Sequence, residues 1–155
     1  MVSSARVWKA SQRRFVSNVL GPHFEQVCRE WALHHADPDL LGGLPAQVGH
    51  GTVHDPKARA GHEIDVAVIG IASGGKAPLL AIGEAKWNDT MGAGHLERLK
   101  HLRGPIEASG RYDTSNTQLL CFSGAGFNDR ARAAAGANSD VRLLDLADLY
   151  GSEPG

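Results

Sequence analysis

A chain of 155 residues, 42% of them hydrophobic, has the size of one domain and enough apolar material for a core, which excludes global disorder. A formal net charge of −1 excludes a protein held to nucleic acid by phosphate contacts over its whole surface; such affinity would need a local basic patch or a bound cation. No stretch approaches the roughly 20 apolar residues that span a bilayer, and Met1–Lys9 lacks the apolar run of a signal peptide, so a cytoplasmic protein with no membrane partner is expected.

In chain order, residues 11–20 offer Phe15, Val16, Val19 and Leu20 as the apolar side of a short helical arm. Pro22 suits a first helical turn, and Phe24, Val27, Cys28 and Trp31 recur at helical spacing, which predicts a helix from Pro22 to about His35. Asp37-Pro38-Asp39 and Gly42-Gly43 stop it. Residues 45–61 are rich in Gly and His, and one short strand is expected near Ala46–Val53. Ile64, Val66 and Val68 alternate with Glu63, Asp65 and Ala67, which is strand periodicity. A Gly-rich turn, Ala72–Lys76, leads to Leu79–Trp87, an almost unbroken apolar run suited to a central strand covered on both faces. Leu96, Leu99 and Leu102 predict a helix over Gly92–Leu102. Leu119–Phe122 and Val141–Leu144 read as strands, Asn128–Ala135 as a helix capped by Asn128 or Asp129, and Leu146–Tyr150 as a final helical turn. The two cysteines, Cys28 and Cys121, lie in apolar contexts and are expected to be reduced core residues. The expected fold is α/β: one domain, with its core over about residues 15–150, built on a mixed sheet of four or five strands flanked by helices, in the order α-β-β-β-α-β-α-β.

Chemistry concentrates at the end of the most apolar strand. Glu84 and Lys86 lie two residues apart, so strand geometry puts them on one face, with Leu80 and Ile82 expected deeper on it. Charges on a central strand are costly and demand a partner. A hairpin centred near Gly74 would bring Asp65 across from about position 83, beside Glu84. Two adjacent carboxylates repel, and a hard divalent cation such as Mg²⁺ relieves that repulsion; the carbonyl of Ala85 is a further ligand candidate. Lys86 would then orient an attacking water or neutralise a phosphoryl oxygen.

Asp65, eighteen intervening residues and Glu84-Ala85-Lys86 resemble the PD-(D/E)xK nuclease superfamily. The resemblance implies a restriction-endonuclease-like core, Mg²⁺ or Mn²⁺ as cofactor, and a further site carboxylate on the first helix, where Glu25 of Phe24-Glu25 fits. More narrowly, the chain is similar to the nuclease-like domain at the C-terminus of archaeal-type ATPases. The similarity rests on Gly21–Trp31, Glu63-Ile64-Asp65, Gly83–Trp87, Phe122–Phe127 and Leu143–Tyr150. The pattern departs at Ile64, which stands where the family motif has proline, and over residues 42–61. No ATPase motor lies within these 155 residues, so the chain is expected to be either an excised ATPase domain or a free-standing relative.

These implications are expectations: a metal-dependent endonuclease with DNA preferred over RNA, acting as a C2 dimer or beside an ATPase module. The alternative is a non-catalytic accessory domain that docks nucleic acid or a partner. An ordinary reading accompanies each signal. Glu84 and Lys86 could be a solvated pair, Glu25 a carboxylate placed by a helix dipole, and Glu63 the replacement for Asp65 if the register slips. Arg98, Lys100, Arg103, Arg111 and Arg130 are either a solvated surface or phosphate contacts. Gly70–Lys76 spells an apparent phosphate loop, but Ala77 lacks the required hydroxyl and a strand follows, so a turn is expected. His34, His35, His50 and His54 lack partners at zinc-ligand spacing and are expected at the surface, while His62 precedes the Asp65 strand.

Overall fold

The computed structural model describes residues 20–151. The helical arm expected over residues 11–20 lies outside them, apart from Leu20. The helices are α1 (Gly21–His34), α2 (Pro38–Leu41), α3 (Ala93–Ser109), α4 (Asp129–Ala137) and α5 (Leu146–Tyr150). The strands are β1 (Pro45–Asp55), β2 (Ala60–Gly70), β3 (Leu79–Lys86), β4 (Gln118–Ser123) and β5 (Val141–Leu144). They form one five-stranded sheet in the order β1-β2-β3-β4-β5. The first three strands are antiparallel neighbours, and β3, β4 and β5 run parallel through the crossover helices α3 and α4. The mixed α/β sheet expected from the sequence is therefore present.

Two apolar clusters cover the sheet. On one face Phe24, Cys28, Trp31 and Ala32 of α1 pack with Val66, Val68, Ala81, Ala85, Leu120 and Phe122. On the other, Leu96, Leu99, Leu102 and Ile106 of α3 pack with Ile82, Leu119, Cys121 and Val141. β3 is buried along almost its whole length because it is central and covered by both helices. The cysteines are free, buried and divided between the two clusters.

Three expectations needed correction. β1 is an eleven-residue strand, longer than the segment expected near Ala46–Val53. Its hairpin with β2 closes where Asp55 Oδ1 accepts the N–H groups of Lys57 and Ala58, and Arg59 adopts a positive φ of 51°. Helix α3 does not stop at Leu102 but runs through Gly104-Pro105 to Ser109. Burial of Ile106 in the α3 cluster outweighs the hydrogen bond lost at proline. Leu80 does not share the face of Ile82. A register shift between Val68↔Ala81 and Ile69↔Leu79 turns it into the α1 cluster, while Ile82 faces α3.

The glycine-rich segment after β2 is a turn, closed by the Gly70 N–H donating to the Pro78 carbonyl at 2.8 Å, and strand β3 follows it. Beyond the other end of β3, Gly124 runs so close to Trp87 that an added Cβ would lie 2.5 Å from the Trp87 carbonyl oxygen. The buried Ser123 hydroxyl donates to the Asp89 carbonyl and accepts from the N–H groups of Ala125 and Gly126. Both loops at the carboxyl end of the parallel strands are thus tied down.

Candidate active site

Antiparallel pairing of β2 and β3 is recorded from Ile69↔Leu79 to Val66↔Gly83. Continued by one rung, that register sets Asp65 opposite Glu84, a single residue from the register expected. The backbone ladder gives way there to a side chain: Asp65 Oδ2 accepts the Ala85 N–H at 2.9 Å. In an antiparallel strand a residue's N–H and C=O point to the same neighbour, so the Ala85 carbonyl is directed toward β2 as well.

The other side of β2 carries a bulge at the same place. Gly49 pairs with Ala67 and Gly51 with Ile64, so His50 alone faces both Asp65 and Val66. The effect on alternation is visible in the core: Ile64 belongs to the α3 cluster and Val66 to the α1 cluster, although residues two apart on a regular strand share a face. Asp65 therefore sits where the strand changes face, in a fork between β2 and β3.

That placement divides the expected carboxylates. Asp65 lines a cleft of about 480 Å³ on the α1 side with Glu25, Arg29, His50, Thr52 and Glu63. Glu84 is not part of that lining; it is buried, at 8% exposure, against α3. Its Oε1 lies 3.7 Å from Lys86 Nζ and its Oε2 3.5 Å from Arg98 Nη1. These are ion-pair distances beyond hydrogen-bond length, and Oε2 is a buried oxygen with no hydrogen-bond partner among the described residues. Lys86 remains 41% exposed, at the mouth of the fork.

The Asp65 charge acts on Glu25. Partial burial first, and then the neighbouring Asp65 charge, hold the Glu25 carboxyl above its ordinary value, with Glu63 adding to the effect and Arg29 and Lys86 opposing it. Burial pushes the Cys28 thiol up, with Asp65 contributing. Cys121, behind Glu84, is pushed up to about 12 by burial and then by the Glu84 charge. Both thiols are therefore inert at neutral pH. Asp65 and Glu25 thus share one side of the fork, Glu84 and Lys86 occupy the other, and Ala85 lies between. Among the described residues no three His, Cys, Asp or Glu side chains form a ready-made metal cage.

Of Arg98, Lys100, Arg103, Arg111 and Arg130, only Arg98 reaches the fork. Besides Glu84, it donates to the Glu63 carbonyl at 2.8 Å. Lys100 is paired with Glu97 and donates to Asn138, and Arg103 is paired with Asp140. Arg111 lies past the opposite end of α3, and Arg130 is exposed in the first turn of α4. His50 and His54 are exposed on β1, and His34 and His35 at the end of α1, at the surface as expected. His62 pairs with Val53 in the β1–β2 hairpin.

Sequence reasoning missed two contributors. Arg29, one turn beyond Glu25, donates to the Asp65 carbonyl at 2.9 Å; no local pattern announces a partner 36 residues away. His101 Nε2 lies 2.8 Å from Asp55 Oδ2, which ties the tip of the β1–β2 hairpin to α3.

No protein-family model matches the chain, and no curated protein or solved structure matches it either. No helix among the described residues is long and apolar enough to cross a membrane.

Proposed function

We propose that the fork between β2 and β3 is a divalent-cation site of a nuclease of the PD-(D/E)xK type that hydrolyses phosphodiester bonds. One observation carries the reading. Glu84 is buried across from Asp65, and its Oε2 has no hydrogen-bond partner among the described residues. A buried carboxylate oxygen without a partner costs about 1–3 kcal/mol or more, and a cation at the fork would remove that cost. Two carboxylates, one carbonyl and water suit Mg²⁺ or Mn²⁺, which take few protein oxygens and retain several waters.

Asp65 and Glu84 would hold the ion directly, with the Ala85 carbonyl as a third donor. Asp65 keeps Oδ2 on the Ala85 N–H, which leaves Oδ1 for this purpose. Glu25, across the cleft, would act through water. The cation supplies Lewis-acid stabilisation of the charge that builds on the phosphoryl oxygens. Lys86, exposed at the mouth, would orient the attacking water or donate to a phosphoryl oxygen. Water adds to phosphorus, the P–O bond to one sugar breaks, and that oxygen leaves with a proton. DNA is preferred over RNA on the resemblance alone.

A second reading has its own support. Arg98 and Lys86 already place positive charge near Glu84, which a non-catalytic accessory domain for nucleic acid or an ATPase partner could keep as a structural cluster. Plasmid nicking in Mg²⁺ or Mn²⁺ separates the two. Cleavage by wild type that is lost in Asp65→Ala and Lys86→Met supports the enzyme. Cation binding without cleavage in any metal supports the accessory domain.

A further inference from the structure

Asp65 lies in the bulge and Glu63 beyond the last recorded β2–β3 pair, and two arginines from opposite faces of the sheet take their carbonyls. Arg29 of α1 donates Nη1 to the Asp65 carbonyl at 2.9 Å, and Arg98 of α3 donates Nη2 to the Glu63 carbonyl at 2.8 Å. The residue between them, Ile64, is packed into the α3 cluster. Arg98 also serves the Glu84 charge, whereas Arg29 forms no ion pair among the described residues. Its recorded hydrogen bond goes to a neutral carbonyl, although Glu25 and Asp65 carboxylates line the same cleft.

We infer that Arg29 is a positioning residue: it fixes the Asp65 main chain in the bulge, so that one carboxylate oxygen holds the Ala85 N–H and the other faces the fork. The inference rests on the fork being a cation site, and it names the device that keeps that site in shape. A bulge disrupts the ladder locally, so the main chain at Asp65 needs a further contact to hold one conformation. A planar guanidinium reaching from a packed helix selects one, as outer-shell partners do for metal ligands generally. Lysine in its place would keep the charge but lose the planar fork of donors.

The test uses the full chain carrying Arg29→Met or Arg29→Lys. Hydrogen exchange of the Ala85 amide is measured without metal, and Mn²⁺ affinity by calorimetry. The expected result for Arg29→Met is Ala85 exchange at least tenfold faster, with β4 amides unchanged, and Mn²⁺ binding weakened about 10–100-fold. Arg29→Lys should fall between Arg29→Met and wild type in both, and it carries the test alone if Arg29→Met does not fold. Unchanged Ala85 exchange and unchanged Mn²⁺ affinity in the folded variants would overturn the inference. If wild type itself binds no Mn²⁺, the cation-site reading fails, and Ala85 exchange alone decides whether Arg29 positions Asp65.

Discussion

At Glu84 the fold keeps Oε2 buried and without a hydrogen bond among the described residues, with Arg98 3.5 Å from it and Lys86 3.7 Å from Oε1. Such a group is expected to cost stability in exchange for function. Glu84→Gln removes the charge while keeping the shape, so it should raise stability by about 1 kcal/mol, or roughly 2–4 °C in Tm, and abolish cation binding. A Tm lower by several degrees would instead mark Glu84, Lys86 and Arg98 as a structural cluster. Glu25 behaves similarly. Its folded-state pKa is raised above the ordinary 4.5, so its ionised form disfavours the native state. Glu25→Gln should therefore be more resistant to urea than wild type at pH 7. That advantage should shrink as pH falls through the raised pKa and vanish below 4.5. Asp55, Asp113 and Asp145 have the opposite sign. Hydrogen bonds from His101, from Ser115 and from the Asp148 N–H, respectively, hold these carboxyls below the usual range. Their contribution is complete above their ordinary 3.8 and is lost as pH falls through the depressed values, so both proteins should unfold in stronger acid.

Among the elements, those whose signal is local were legible in the sequence. Helix α1 shows its apolar stripe, β3 its unbroken apolar run, and α4 its Asn128 cap, which accepts the Ala131 N–H. What was hidden depends on pairing or on distant partners. The bulge opposite His50 arises from how β1 meets β2, and it separates Asp65 from the face of Glu84 that simple alternation would assign. The extra residue near Leu80 has the same origin. Helix α3 passes Pro105 because Ile106 finds a buried place, which no propensity scale records. The approach of Gly124 to Trp87 is another contact of this kind, and it carries a prediction. Gly124→Ala would push the added Cβ against the Trp87 carbonyl and ring, one residue beyond Lys86. The expected cost is about 1–3 kcal/mol in urea unfolding, with cation affinity reduced as the end of β3 shifts. An unchanged unfolding midpoint would show that this loop relaxes freely.

For the molecule as a whole, the near-neutral balance of −1 sets the terms on which it could meet a polyanion. Glu25, Glu63, Asp65 and Glu84 outnumber Arg29, Lys86 and Arg98 around the fork, so without a bound metal ion it should repel phosphate. Addition of Ca²⁺, a hard cation that takes oxygen ligands, should strengthen binding to a short labelled DNA duplex about tenfold or more. That gain should be absent in Glu84→Gln. Equal binding with and without Ca²⁺ would place any nucleic-acid surface away from the fork. The cation site itself is tested most directly by calorimetric titration of Mn²⁺ into wild type and into Asp65→Ala. The account predicts saturable binding of one ion per chain in wild type and its loss in Asp65→Ala. Absence of binding in wild type, or equal binding in both proteins, would contradict it.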